Sequence, residues 1–262
     1  MSEPCRSLDR ALGGPRGVVC AVGAGGKKTA LHRLAREIAG RIALTATVHT
    51  PPPGDVADLA IVDPDPLARL RELVSAGWRV VALGRPSGIR NRWTGLRPDE
   101  VDALAQSGAF SAVLVKADGA RMRWVKAPGP DEPVYPATTA WALPVCSLRA
   151  VGRPLDGRVA HRPDRLAAVT GAVPGEPLRP DHLARWLAHP EGALKGTGAA
   201  RVVPILNMAD DEGLRELGHR IAEAALATTT RFHRVVVASL ASEPPALDVV
   251  TRTALAEPTD AP

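Results

Sequence analysis

The sequence predicts an α/β protein of the phosphate-binding-loop NTPase type, a mostly parallel sheet with helices on both faces in three layers. Three observations predict it. Short apolar runs alternate with amphipathic stretches along most of the chain, which is the pattern of a parallel sheet covered on both sides. The run Gly17–Val22 ends in the glycine cluster Gly23-Ala24-Gly25-Gly26 and opens directly onto a helical pattern. A second strong run, Phe110–Ala117, ends at Asp118-Gly119. The 262 residues, 45% of them apolar, suffice for one such domain with a sizeable core.

Each element has its own signal. Gly17–Val22 is continuously apolar, as a strand buried on both faces requires. Leu31, Leu34, Ala35 and Ile38 recur at helical spacing, and Gly40 can end that helix. Ala43–Val48 reads as the next strand, stopped by Pro51–Pro53. Ala60–Val62 and Arg79–Leu83 are strands on either side of a helix over Pro66–Ala76. Pro98, Asp99 and Glu100 start a helix that runs to Gln106, with proline at the first turn and acid at its positive end. Residues 121–190 are proline-rich and read as an irregular insert, holding a strand near Ala142–Ser147 and helices near Pro163–Val169 and Asp181–His189. Arg201–Asn207 is a strand whose Pro204 implies an edge or a bulge. A helix over Asp211–Thr228 and a strand over Phe232–Leu240 follow. The division expected is an N-terminal extension at 1–14, one domain at 15–241 and a loose tail at 242–262.

Composition narrows the class. No apolar run approaches the roughly 20 residues of a membrane-spanning helix, and the N-terminus lacks the apolar core of a secretory signal. Cys5, Cys20 and Cys146 are far apart and odd in number, which argues against a disulfide framework or a zinc site. These features point to a cytoplasmic protein. The net charge of +5 is spread along the chain rather than gathered in a stripe, so nucleic acid is not an expected partner. The densest basic stretch, Arg85–Arg97, reads first as a solvated loop and second as an anion contact.

In sheets of this kind ligands sit beyond the carboxyl ends of the strands. The segment Gly23-Ala24-Gly25-Gly26-Lys27-Lys28-Thr29 fits phosphate binding; the alternative is a glycine-rich strand-to-helix turn with two exposed lysines. Small residues let successive N–H groups converge, the helix adds its positive end, and Lys27 supplies a charge for the β/γ-phosphates. The strict GxxxxGK[ST] pattern is not met: Ala21 stands at the first glycine position, Lys28 at the hydroxyl position, and Thr29 one residue late. Asp118 at a strand end suits a magnesium ligand, with Thr29 as helper; the alternative is an ordinary Asp-Gly turn. Asn207-Met208-Ala209-Asp210 has the frame of a guanine-reading NKxD motif, with helix capping as the alternative. His49, after the second strand, is placed to reach a γ-phosphate or a bound substrate, with a plain loop role as the equal alternative. His161 reads first as a helix-entry residue and second as a site residue.

The order of segments resembles the selenium-dependent hydroxylase accessory protein family, YqeC. The resemblance rests on Val22–Thr29 (VGAGGKKT), Thr45–His49 (TATVH), Gly84-Arg85-Pro86, Gly95–Leu104 (GLRPDEVDAL) and Lys116–Arg121 (KADGAR). It continues through Lys126-Ala127-Pro128, Gly152–Leu155 (GRPL), His161-Arg162-Pro163, His189–Gly196 (HPEGALKG) and Leu206–Asp210 (LNMAD), covering roughly residues 15–240. It implies a protein that binds GTP or ATP and serves a molybdenum hydroxylase, or its molybdopterin cofactor, as client. A non-hydrolysing binder of such a cofactor and a phosphoryl or nucleotidyl transferase are the alternatives. Three residues depart from the family pattern: Lys28 for threonine, Lys116 for the glutamate of EADGA, and Met208 for the lysine of NKAD. Two of the three put positive charge near the place of a Mg²⁺ ion, where like charges 4 Å apart repel by about 4 kcal/mol at an effective dielectric of 20.

Overall fold

A computed structural model describes residues 6–73 and 77–252. Its strands are β1 (Gly17–Gly23), β2 (Ile42–Ala46), β3 (Leu59–Val62), β4 (Val80–Gly84), β5 (Ala112–Lys116) and β6 (Val125–Lys126), then β7 (Thr139–Ser147), β8 (Ala160–His161), β9 (Arg201–Val202), β10 (Ile205–Asn207), β11 (Arg234–Ser239) and β12 (Ala246–Thr251). Its helices are α1 (Leu8–Leu12), α2 (Lys27–Glu37), α3 (Pro66–Glu72), α4 (Pro98–Gln106), α5 (Pro163–Thr170), α6 (Pro180–Ala188) and α7 (Glu212–Thr228).

The main sheet has ten strands in the order β12-β11-β10-β7-β1-β5-β2-β4-β3, with β9 pairing β7 off that path. All pairings in it are parallel except β11 with β12. Strand alternation splits the core between the two faces. Val19 and Ala21 of β1 join Leu31 and Leu34 of α2 and Leu8 and Leu12 of α1. Val18 and Cys20 face the other way, with Val101 and Leu104 of α4. On that second face α5, α6 and α7 cover the other half of the sheet, around Trp186, Leu187 and Ile221. Each such side chain taken fully out of water contributes about 1.5–3 kcal/mol. This confirms the α/β class: a three-layer arrangement with helices on both faces. The β6–β8 pair forms a separate two-stranded sheet.

Local chemistry sets the helix boundaries. Pro98 opens α4, and the Glu100 carboxylate accepts from the Arg97 N–H at 2.8 Å. The Asp211 side chain caps α7 by accepting from the Leu214 N–H at 2.8 Å. Glu100 is also held by Arg85 in a two-pronged ion pair and by Arg97 at 3.0 Å. Arg85 and Arg97 are therefore fold-holding residues, while Arg90 and Arg92 stay exposed.

Four expectations about organisation need correction. Residues 121–190 are no insert beside the sheet, because β7 runs through its centre beside β1. Pro204 neither bulges a strand nor marks an edge: it separates β9 from β10, and its carbonyl accepts from Val236 N–H. Residues 246–251 are not loose, since β12 pairs with β11 over six register positions. The tail beyond Arg252 lies outside the described residues, as do Cys5 and the last residues expected for the 66–76 helix. Part of the N-terminal extension belongs to the core, as Leu8, Ala11 and Leu12 of α1 are buried.

Candidate functional site

The carboxyl ends of β10, β7, β1, β5 and β2 form one continuous edge, and most of the candidate residues lie along it. The glycine loop is short. Strand β1 continues through Ala21 to Gly23, so only Ala24, Gly25 and Gly26 separate it from α2. Gly23, Gly25 and Gly26 have φ of 87°, 78° and 138°, a region that residues with a Cβ avoid. Space demands glycine as well. A Cβ would stand 2.3 Å from the Val145 carbonyl at Gly23, 2.7 Å from Ser147 at Gly25 and 2.2 Å from Asn207 Nδ2 at Gly26. The first turn of α2 has no side-chain cap, so its N–H groups remain available to an acceptor.

Lys27 opens α2 and points inward. Its ammonium lies 2.5 Å from Asp118 Oδ1 and also donates to the Gly23 carbonyl. The other carboxylate oxygen, Oδ2, accepts from Gly23 N–H at 2.9 Å and faces the Lys126 ammonium at 2.9 Å. Asp118 and Lys126 are 0% exposed and Lys27 5%. Burial pulls the Lys27 ammonium below its ordinary range, against the attraction of Asp118. Lys126 Nζ further donates to Gly119 O at 2.6 Å and pairs with Glu132 at 2.6 Å; Arg162 pairs with Glu132 at 2.7 Å. Burial alone would raise the Glu132 carboxyl, but hydrogen bonds from Arg162 and Lys126 hold it at about 2. The β6–β8 sheet is thus tied by ion pairs to the residue beneath the loop. Lys126 and Glu132 escaped the sequence reading as site residues. Lys126 had one signal, its place in the Lys126-Ala127-Pro128 motif, and Glu132 had none.

The other candidates divide. Asn207 joins the loop: its Nδ2 donates to Gly25 O at 2.8 Å, and its Oδ1 accepts from Leu240 N–H at 3.1 Å. Asp210 sits further along the same edge, held by Ser239 Oγ at 2.6 Å and Arg149 at 2.7 Å. Between them Met208 adopts φ 65°, and its sulfur accepts from Ser147 Oγ at 2.9 Å. His49 is exposed at the end of β2; its carbonyl accepts from Lys116 Nζ at 3.2 Å. Burial, then repulsion by Lys27, lowers the Lys116 ammonium to about 8. Lys28 turns outward and donates to Pro52 O at 2.8 Å. Thr29 is not brought to Asp118. A helix advances 100° per residue, so two positions after Lys27 it faces the far side of α2. There it lines a cleft of about 360 Å³ with Arg33, Arg36, Leu240 and Glu243. His161 lies in β8, and Arg162 caps α5 with φ 66°. Burial, helped by Arg162, lowers the His161 imidazole to about 4.

The donor set suits a divalent metal poorly. Asp118 Oδ2 is taken by Lys126 and the Gly23 N–H, Oδ1 meets the Lys27 ammonium but accepts no aligned hydrogen bond, Thr29 faces elsewhere, and ammonium groups surround the carboxylate. Among the described residues no group of three or more His, Cys, Asp or Glu could hold a metal ion. No helix among them is long and apolar enough to cross a membrane.

These features define an α/β protein with a glycine-built strand-to-helix loop closed over a buried lysine–aspartate pair. Residues 19–164, more than half of the chain, match the family model described as YqeC protein, and the chain belongs to that family. It is similar to the protein named "Uncharacterized protein YqeC" of Escherichia coli (strain K12), with 29% identity over 196 residues, 71% of this chain and 73% of that protein. No solved structure matches it.

Proposed function

We propose that the chain is a nucleotide-binding accessory protein that takes GTP or ATP at the β1–α2 loop and assists a molybdenum hydroxylase or its molybdopterin cofactor in the cytoplasm. One observation carries the ligand: Lys27, presented by a loop of three positive-φ glycines, stands directly over Asp118 at the ends of adjacent parallel strands. Gly23 N–H is held by Asp118 and Ala24 N–H by the Val145 carbonyl, so a phosphate group at the loop would meet the N–H groups from Gly25 onward, the positive end of α2 and an ammonium that can leave Asp118 for it. Asn207 and Asp210, on the same edge, are the base-reading candidates. The client comes from the family resemblance alone, carried by the ordered series of motifs. In this reading slow hydrolysis gates delivery to, or activation of, the client.

Calorimetric titration with GTP and ATP, with and without Mg²⁺, beside Lys27→Ala tests the ligand. Binding to the native protein that disappears in the variant is expected. No binding of either nucleotide by folded protein would end the nucleotide reading. Release of inorganic phosphate, measured with and without a purified molybdenum hydroxylase, tests the switch, and no release in either case would sink it.

A second reading has its own observation. Even when Lys27 moves to a phosphate, Asp118 keeps Lys126 and the Gly23 N–H on Oδ2, which hold it to the loop rather than to an attacking water. That favours a holder of a phosphate-bearing cofactor, such as molybdopterin, over a hydrolase. Cofactor retained through purification, identified by mass spectrometry, is the expected sign.

A further inference from the structure

We propose that this chain binds the triphosphate end of its nucleotide without a divalent metal ion, with the Lys116 ammonium supplying the positive charge that a metal would bring. The inference rests on the nucleotide-binding reading and adds to it how the phosphate charge is neutralised.

Of the oxygen atoms that a metal would need, the hydroxyls are missing or turned away, and the single carboxylate lies between two ammonium groups, with only its Oδ1 left to a ligand once Lys27 moves. Lys28 follows the loop lysine where a hydroxyl is usual, and its ammonium is turned away onto Pro52 O. Thr29 faces the cleft beside Leu240. Asp118 is shared between Lys27 on one oxygen and Lys126 with the Gly23 N–H on the other.

A fixed cation is present instead. Lys116 ends β5, between Ala21 of β1 and Ala46 of β2, two residues before Asp118. Lys116 Nζ has the His49 carbonyl as acceptor at 3.2 Å. No carboxylate lies within ion-pair distance of it among the described residues. The charge acting on it most strongly is that of Lys27, ahead of Asp118. A half-buried ammonium facing like charges is poorly satisfied until an anion arrives. Beside it a small apolar pocket, lined by Leu44, Leu83 and Trp93, borders the same space.

The pairing around Asp118 lets the exchange proceed without orphaning a charge. When Lys27 swings to a phosphate, Lys126 stays on Asp118, anchored by Glu132 and Gly119 O. The incoming polyanion then meets Lys27 and Lys116 together.

Titrations of GTP and ATP in EDTA and in Mg²⁺ test this on the native protein, Lys116→Met and Lys116→Glu, each checked for folding by thermal melting. Expected is a native dissociation constant that Mg²⁺ changes by less than about threefold, and a loss of about tenfold or more in EDTA for Lys116→Met. Lys116→Glu should lose more in EDTA and regain about tenfold or more on adding Mg²⁺, because its carboxylate can hold the ion. Native binding that needs Mg²⁺, or Lys116→Met binding like the native protein in EDTA, overturns the inference and leaves nucleotide binding standing. No binding under any condition overturns both.

Discussion

Two aspartates follow parallel strands at the same edge of the sheet, and their surroundings are opposite. Asp118, after β5, is wholly buried between two ammonium groups and a backbone N–H. Asp210, after β10, has a third of its side chain exposed and is held by a hydroxyl and a half-exposed arginine. Asp118 lies within the stretch that the YqeC family model matches, and Asp210 lies beyond it. The contrast separates two jobs that position alone would merge. The buried carboxylate keeps Lys126 and the Gly23 N–H even when Lys27 moves, and so holds the loop in shape. One with a solvent-facing partner can change partners when a ligand comes.

Removing the buried member should have the largest effect. Asp118→Ala leaves Lys27 and Lys126 in the interior without their shared counter-charge and should cost about 3–5 kcal/mol in urea unfolding. If the loss is below about 1 kcal/mol, Asp118 is not the clamp described. Gly23→Ala comes next. Its Cβ would meet the Val145 backbone carbonyl at 2.3 Å, and φ is 87°, so a loss of about 2–4 kcal/mol is expected, with loss of the proposed nucleotide binding.

Acid should reveal the ion pairs that support the clamp. Glu132 titrates at about 2 in the fold against 4.5 ordinarily. A depressed carboxyl stabilises above its unfolded value, and that contribution fades as pH falls from about 4.5 to about 2. At most about 3 kcal/mol is at stake, and Glu132→Gln should flatten this part of the stability–pH curve. An unchanged acid slope would show that Arg162 and Lys126 do not act on it as described.

Asp210→Ala sharpens the other side of the comparison. Its ion pair with Arg149 is largely solvated, so stability should move by no more than about 1 kcal/mol, while GTP binding weakens about tenfold or more and ATP binding little. Equal weakening for both nucleotides would deny Asp210 a base-reading role. The smallest effect is expected of Lys28→Ala, within about 0.5 kcal/mol of the native stability, because its ammonium meets only an exposed carbonyl.

The alternation of strands and helices was legible because burial on both faces writes itself as continuous apolar runs. Helix α4 matches its expected span, Pro98–Gln106, since proline and two acids mark its start. What escaped has physical reasons. Strands of two residues, β6 and β8, carry no periodicity. Strand β12 alternates only weakly and follows a proline-rich turn, so it reads as loose. Among the candidate residues, the juxtaposition of Gly23, Lys27 and Asp118 was legible because the strand–loop–helix order implies it. Thr29 was misplaced because its helical phase depends on where α2 begins. Lys126 and Glu132 come from another small sheet and its connecting loop, and pairing at a distance leaves no local trace.

Asn207 has a consequence for how a ligand would bind. Its amide donates to the loop at Gly25 and accepts from Leu240 beyond β11, while Asp118 grips the loop from the β5 side. The loop is therefore braced from both flanks before any ligand arrives. The entropy of shaping it is lost at folding, so binding should proceed with little change in backbone order, and the heat of association should report mainly the exchange of charges and water.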